Sequence, residues 1–150
     1  MSDQPVRDRA RRIADALARL EGDADLWLAT AEAGRPWLIP LSFHWTGRSV
    51  LMATGRRSAT YRNLAQGGGV RIGLGHTRDV VIIDGEVELP EDLPEAEAGP
   101  TAAAAGLDPR TDPTAAFLRI VPDRVQAWRN VAELDGRTIM RDGEWLGDER

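Results

Sequence analysis

The sequence contains no cysteine, and this absence excludes several kinds of site. Disulfides, thiol nucleophiles, iron–sulfur clusters and thiolate zinc sites all need a cysteine sulfur. Lysine is absent too, since all 19 basic residues are arginine, so Schiff-base chemistry is excluded. The two histidines, His44 and His76, show no metal-binding spacing. We therefore predict no metal site and, if the protein is an enzyme, a bound cofactor that carries the reaction.

Long hydrophobic runs are missing as well. No apolar stretch approaches the ~18 residues that a membrane span needs, and no signal-peptide pattern follows the N-terminus. The formal net charge of −5 disfavours general nucleic-acid binding, for which a basic surface is expected. We therefore expect a cytoplasmic protein without a membrane or nucleic-acid partner. The length of 150 residues suits a single domain over 1–150.

Hydrophobic periodicity predicts a helix followed by an antiparallel β domain. Within residues 1–22, apolar side chains recur at helical spacing over 5–21, and Gly22 follows where helices often end. The period then changes to two, and short turns join predicted strands at 26–30, 36–45, 50–54, 70–74 and 79–89. A Gly85 bulge is expected in the fifth strand. With a helix between the third and fourth strands, this pattern indicates a closed or nearly closed barrel.

The later part of the chain has a weaker pattern. Residues 90–113 are rich in proline, alanine and acidic residues, and we interpret them as a surface excursion with a short helix near 102–105. Two further strands, separated by a bend at Pro122, are predicted at 117–121 and 124–128. Asp142-Gly143 predicts a tight hairpin turn.

The second predicted strand has two chemically different faces. Its odd positions form an apolar face that we expect in the core: Trp37, Ile39, Leu41, Phe43 and Trp45. Its even positions suit a surface, a pocket wall or an interface: Leu38, Pro40, Ser42 and His44. We expect core packing for Trp27 and an exposed turn position for His76. His44 is a candidate proton donor or substrate contact, and structural hydrogen bonding is the alternative.

Residues Leu51–Leu64 predict an anion site. A strand ends at Thr54-Gly55, and Ser58 is placed to cap a following helix. The N-terminus of a helix attracts anions through its free N–H groups and its dipole. The candidate donors at this point are Arg56, Arg57, Thr60 and Asn63. A phosphate site is therefore one interpretation, and ordinary helix capping beside solvated arginines is the other.

The order and spacing of these elements resemble a known family. Residues 26–89 and 121–129 resemble the pyridoxamine 5′-phosphate oxidase-like, FMN-binding split-barrel proteins, especially the bacterial branch of deazaflavin (coenzyme F-420)-dependent oxidoreductases. The most specific pieces are Gly34-Arg35-Pro36, Arg62-Asn63-Leu64 and Gln126-Ala127-Trp128. The resemblance covers about residues 25–146. It implies a mainly β (α+β) fold, a six-stranded antiparallel split β-barrel of Greek-key type with short flanking helices.

The resemblance also implies a homodimer with two equivalent flavin sites in grooves between the protomers. The residues implied to line the isoalloxazine ring are Pro40, Leu41, Ser42 and Phe43. Those implied to hold the ribityl chain and phosphate are Thr54, Arg56, Arg57, Ser58, Thr60 and Asn63. Trp128 is implied to approach the ring from the second protomer.

This chain departs from the family pattern where many members place an arginine or lysine against the phosphate. It has Ser58, Ala59 and Thr60 there, so FMN, the deazaflavin and, as a further alternative, haem all stay open as the ligand. The expected function is a flavin- or deazaflavin-dependent oxidoreductase that transfers hydride between the cofactor and a small organic substrate. The alternative is a non-catalytic flavin- or haem-binding protein on the same fold. We expect no pyridoxamine phosphate oxidation, because no second cluster of basic residues is evident in the sequence.

Overall fold

The structure, a computed structural model, describes residues 3–147. Its helices are α1 (Arg9–Gly22), α2 (Ala59–Ala65) and α3 (Glu95–Ala105). Its strands are β1 (Asp25–Glu32), β2 (Arg35–Ser42), β3 (His44–Trp45), β4 (Val50–Gly55), β5 (Arg71–His76), β6 (Asp79–Glu88), β7 (Ala115–Trp128), β8 (Thr138–Arg141) and β9 (Glu144–Trp145). A short 3₁₀ helix, Val131–Glu133, links β7 to β8. No helix in this part of the chain is long and apolar enough to cross a membrane.

The strands form one antiparallel sheet in the order β2-β1-β5-β6-β7-β4-β3, and β8 and β9 extend it from β7. The strands at the two ends of this order, β2 and β3, are consecutive in sequence and separated only by Phe43. The sheet therefore curls until its edges meet, because one residue spans only about 3.5 Å. The ladder stays open between β2 and β4. The predicted split barrel is confirmed: six strands have six or more residues, and the short β3, β8 and β9 supplement them.

Local turn chemistry in the sheet agrees with the sequence. Ala33-Gly34 and Asp142-Gly143 both have positive φ at both positions, as type I′ hairpins require. The register shifts between Asp84 and Gly85, which confirms the predicted bulge. A Cβ on Gly85 would lie 2.4 Å from the Val121 carbonyl oxygen, so only glycine fits there.

The barrel interior is filled by apolar side chains that alternate along the strands. Fully buried examples are Leu28, Val50, Met52, Ile72, Ile83, Leu118 and Ile120. Ala16 and Leu20 of α1 pack into the same cluster. Each large side chain buried here contributes roughly 1.5–3 kcal/mol to folding. α1 begins later than predicted, at Arg9, because Asp8 caps it and accepts a hydrogen bond from the Arg11 amide.

The prediction that the odd positions of the second strand lie in the core is only partly confirmed. Phe43 and Trp45 are buried, whereas Trp37 is 45% exposed. β2 pairs with β1 alone, and its first half runs with β1 towards the exposed hairpin beyond the barrel. An inward-pointing side chain in that half therefore finds no core beneath it.

The later part of the chain differs in detail from the prediction. α3 has 11 residues despite Pro100, and it ends at Gly106, which has a φ of 65°. Its buried Ala98 packs with Ala53 and Phe117, and α3 lies against β4 and also contacts β3 and β2. The two strands expected on either side of Pro122 are one continuous strand, β7. Pro122 lies opposite the bulge at Gly85, where the ladder is already irregular.

Candidate functional site

The predicted strand–turn–helix exists, and its turn is held by hydrogen bonds. The Ser58 hydroxyl accepts from the Tyr61 amide at 3.1 Å, which confirms the helix cap. The Arg56 amide donates to the Thr114 carbonyl at 2.8 Å, and the Ser58 amide donates to the Gly55 carbonyl at 3.1 Å. The turn is thereby joined to the start of β7 and presents its side chains from a fixed backbone.

The two arginines of the turn differ in whether their guanidinium groups already have partners. Arg56 donates from Nε to the Pro113 carbonyl at 3.2 Å and lies 5.9 Å from the centre of the Tyr61 ring. The exposed Arg57 guanidinium forms no hydrogen bond or ion pair within residues 3–147. Its backbone carbonyl accepts a bond from Arg62. Arg57 is therefore the cation of this turn that is free to meet an anion.

The other predicted donors lie deeper. Thr54 is buried, and its side chain lies on the same face of β4 as the core residues Val50 and Met52. Asn63 is 4% exposed and donates to the Thr30 hydroxyl at 3.0 Å, so its side chain joins α2 to β1. Thr60 is 1% exposed, and its hydroxyl has no partner in the described part of the chain. A buried hydroxyl left unpaired costs about 1–3 kcal/mol, which favours a water or a ligand oxygen beside it.

The residues predicted to line the ring border the same opening as this turn. β3 pairs with β4 so that His44 is opposite Leu51 and Trp45 is opposite Val50. Beyond this short pairing β2 pairs with β1 alone, so no ladder joins Pro40 or Ser42 to β4. The side chains then alternate, with Pro40 and Ser42 on the outer face and Leu41 and Phe43 directed inward. The two predicted groups therefore lie on β2 and at the end of β4, two strands that no ladder joins.

The remaining residues predicted for the site lie elsewhere or at its edge. Trp128 ends β7, whereas Ala115, at the other end of this 14-residue strand, pairs with Gly55 beside the turn. One protomer therefore does not bring Trp128 to the opening. His44 is half-buried on the outer face of β3, beside the opening. Ser42 donates from its hydroxyl to Asp25 at 2.6 Å.

A cavity of about 530 Å³ lies on the outer face of the sheet, next to Pro40. Trp27 and His76 line it, over a floor that includes Gly73 and Gly75. The core position predicted for Trp27 is wrong, because Trp27 pairs with Gly73 on the outward face and is 52% exposed. His76 is exposed as predicted. Gly73-Leu74-Gly75 is the sequence signal that could have indicated this floor, since glycine adds no side chain at the two outward positions.

Comparison with models of protein families identifies the family of this chain. The model for pyridoxamine 5′-phosphate oxidase matches residues 15–129. The chain belongs to the pyridoxamine 5′-phosphate oxidase family. The match spans the barrel from α1 to the end of β7, so it includes both sides of the opening. Comparison with curated proteins gives no match.

Solved structures share the fold of this pyridoxamine 5′-phosphate oxidase family protein. A Listeria innocua protein named after pyridoxamine 5′-phosphate oxidase is 16% identical, with a TM-score of 0.67 over 78% of this chain and 98% of the other. An F420 reductase is 19% identical, with a TM-score of 0.59 over 72% and 93%. A FAD-binding protein from Mesorhizobium loti is 18% identical, with a TM-score of 0.61 over 75% and 90%. At these identities the likeness establishes the fold alone.

Proposed function

We propose that this family member binds a flavin-type cofactor, FMN or the deazaflavin, in the opening between β2 and β4. What supports the proposal is that β2, which carries Pro40 and Ser42, and β4, which leads into the turn with Arg57, lie on either side of the part of the sheet that no ladder closes. The exposed Arg57 guanidinium has no partner among residues 3–147. The shared fold with proteins named as an F420 reductase and a FAD-binding protein supports a ligand of this class.

The residues present fit a phosphate-bearing cofactor. Arg57 supplies an exposed cation whose planar fork matches phosphate oxygens. The Thr60 hydroxyl is buried without a partner in the described chain, and a phosphate or a water bound to it would satisfy that hydroxyl. We propose that Arg57, with Arg56 and Ser58 beside it, replaces the basic residue that many relatives carry at Ser58–Thr60.

We propose that the bound cofactor supplies hydride transfer to or from a small organic substrate, as the activity of an oxidoreductase. The protein's own groups then bind and orient the reactants. Pro40 and Leu41 provide an apolar border that excludes water from the ring. His44 is the candidate to hold a proton for the substrate, since it is the histidine on the strands that border the opening.

A homodimer is part of the same proposal. The outer face of β1 and β2 exposes Trp27 at 52% and Leu38 at 60%, with Pro36 and Pro40 beside them. Contiguous apolar surface of this kind marks interaction sites. Trp128 lies at the other end of β7 from the turn, so a contact between Trp128 and the same cofactor requires a second copy of the chain.

A non-catalytic flavin- or haem-binding protein is the second candidate. The side chains near the turn favour it, because Pro40, Ser42, Thr54 and Gly55 include no acid or base, which leaves His44 of β3 as the candidate. Reduction of the bound cofactor in the presence of a substrate distinguishes the two candidates.

A spectrum and a matched pair of ligands test the proposal. The visible absorption of the purified protein separates FMN, deazaflavin and haem. Titration with FMN and with riboflavin, which has the same ring and no phosphate, then isolates the phosphate contact. Arg57→Ala should weaken FMN binding about 10- to 100-fold, because a charged hydrogen bond contributes roughly 1.5–3 kcal/mol. Riboflavin binding should change little.

Arg48→Ala is the matched control, since it removes an exposed arginine at the opposite end of β4. Binding of both ligands should be unchanged in this variant. An equal loss of FMN and riboflavin affinity in Arg57→Ala would refute the assignment of the phosphate to this turn.

A further inference from the structure

Four arginines that are distant in sequence converge on one cavity, at the end of the barrel away from the β4–α2 turn. The cavity has a volume of about 350 Å³, and its arginines are Arg9, Arg124, Arg137 and Arg141. Asp135 is the one acidic residue among the described residues that line it. No such cluster is evident in the sequence, because the topology assembles it from α1, β7, β8 and the segment that precedes β8.

The fold holds two of these arginines by their guanidinium groups. Arg137 donates to the Leu134 carbonyl at 3.0 Å and lies 5.9 Å from the centre of the Trp128 ring. Arg9 donates to the Gly147 carbonyl at 2.8 Å. Each guanidinium has five N–H donors, so one bond to a carbonyl leaves Arg137 with further donors at the cavity wall.

The guanidinium groups of the other two arginines have no partner among the described residues. Arg124 and Arg141 form no ion pair and no side-chain hydrogen bond with any residue from 3 to 147. Their cross-strand partners are acidic, with Asp84 opposite Arg124 and Glu144 opposite Arg141. Asp84 is already bound by Arg71 at 2.7 and 3.0 Å. Within residues 3–147 the charges of Arg124 and Arg141 are thus not balanced by an ion pair, in a chain whose net charge is −5.

The rest of the wall also favours an anion. Gln126 and Thr138 line the cavity and can each donate a hydrogen bond. The Gly136 carbonyl, an acceptor on the same wall, is occupied by a guanidinium N–H of Arg12 at 2.7 Å. Guanidinium groups bind phosphate and carboxylate in a two-pronged geometry that a single ammonium cannot offer.

We propose that this cavity binds a small polyanion with at least two phosphate or carboxylate groups. Arg124 and Arg141, which have no ion pair with any residue from 3 to 147, match more than one negative charge, and the volume suits a small molecule and not a nucleic-acid duplex. The site is separate from the proposed cofactor opening. Arg124 and Ala115, the residue paired with Gly55 beside the turn, are joined by about 30 Å of extended strand.

Calorimetric titration of the full chain at low ionic strength tests the proposal, with inorganic tripolyphosphate, citrate and orthophosphate as probes. We expect tripolyphosphate or citrate to bind more tightly than orthophosphate. The double variant Arg124→Gln/Arg141→Gln should weaken that binding at least about 10-fold, since each charged hydrogen bond contributes roughly 1.5–3 kcal/mol. Both side chains are exposed, so circular dichroism should show an unchanged fold.

Two single variants serve as controls. Arg35→Gln removes an exposed arginine from the β1–β2 hairpin, and Arg48→Gln removes one from the turn before β4; both should leave tripolyphosphate binding unchanged. Equal losses in the controls and the double variant would show general charge attraction and overturn the proposal. Absence of binding by all three probes would overturn it as well. Tighter, arginine-dependent binding of a short single-stranded oligonucleotide would assign the surface to nucleic acid and also refute it.

The same variants keep this proposal distinct from the flavin assignment. The double variant should retain the FMN affinity of the unaltered chain. A chain that binds tripolyphosphate but no flavin would contradict the proposed function and leave the polyanion site standing.

Discussion

Replacing Glu133 with glutamine should destabilise the fold strongly at neutral pH. The Glu133 side chain is fully buried, and its carboxylate accepts four hydrogen bonds. Three come from Arg7, at 2.7 Å from the amide and at 3.1 and 2.9 Å from the guanidinium. The fourth comes from the Arg129 amide at 2.8 Å. Since Arg7 also bonds Asp15 at 3.0 Å, this carboxylate joins the N-terminal segment, α1 and the end of β7.

The size of the expected loss in folding free energy follows from the pKa of the Glu133 carboxyl. Burial alone would raise the pKa of Glu133, but the hydrogen bonds from Arg7 and from the Arg129 amide outweigh burial and lower it from 4.5 to about 2. Each unit of pKa difference corresponds to about 1.4 kcal/mol, so the ionised form contributes about 3 kcal/mol to folding. Breaking a buried ion pair typically costs a similar 3–5 kcal/mol. A glutamine amide would also direct N–H groups at the donors of Arg7.

Denaturant unfolding at several pH values is the measurement. At pH 7 Glu133→Gln should lower the free energy of unfolding by about 3 kcal/mol, which for this size is a fall of about 6–12 °C in Tm. Because the folded pKa is below the unfolded one, the stabilisation is complete above about pH 4.5 and disappears as the pH falls towards 2. The difference in free energy of unfolding between the unaltered chain and Glu133→Gln should disappear over that pH range.

Glu91→Gln, in an exposed loop, is the control and should change stability by less than about 0.5 kcal/mol. A Glu133→Gln effect below 1 kcal/mol, or one that is the same at pH 7 and pH 3, would refute the reasoning.

Two other variants test the β-sheet and the proposed dimer. Gly75→Ala should cost about 2 kcal/mol or more in thermal unfolding, because φ is +88° and the new Cβ would lie 2.3 Å from the Asp79 carbonyl oxygen. Gly69→Ala, with no atom within 4 Å of its Cβ, should cost far less, and equal losses would contradict the steric explanation. Leu38→Ser should weaken self-association in light scattering without lowering monomer stability. A dimer unaffected by this change would remove the β1–β2 face as its interface.

Sequence reasoning succeeded where the signal is local. Ser58 three residues before Tyr61, Gly34 in a two-residue hairpin and Gly85 inside an apolar strand each fix a backbone feature through neighbouring residues alone. The strand–turn–helix of the candidate site was predictable for this reason. The split barrel needed the family resemblance, since alternation identifies strands but not their order in the sheet.

Sequence reasoning failed where distant segments meet. Trp27 is apolar and lies in a strand, and only its pairing with Gly73 shows that it points outward. The arginine cavity joins Arg9 to residues more than 100 positions later, which no spacing rule detects. Pro100 was expected to keep the third helix short, but burial of Ala98 against Phe117 favours the longer helix despite the missing N–H.

Phe43 fixes the corner at which the two edges of the barrel converge. Its amide donates to the Ala24 carbonyl at 3.1 Å, and its side chain is 5% exposed, so this point is anchored in the interior. From that corner β2 continues beside β1, whereas β4 lies beside β7 near the other end of the strand order. One buried aromatic side chain thus anchors the junction of two edges that no ladder joins, and a smaller residue in place of Phe43 should loosen that junction.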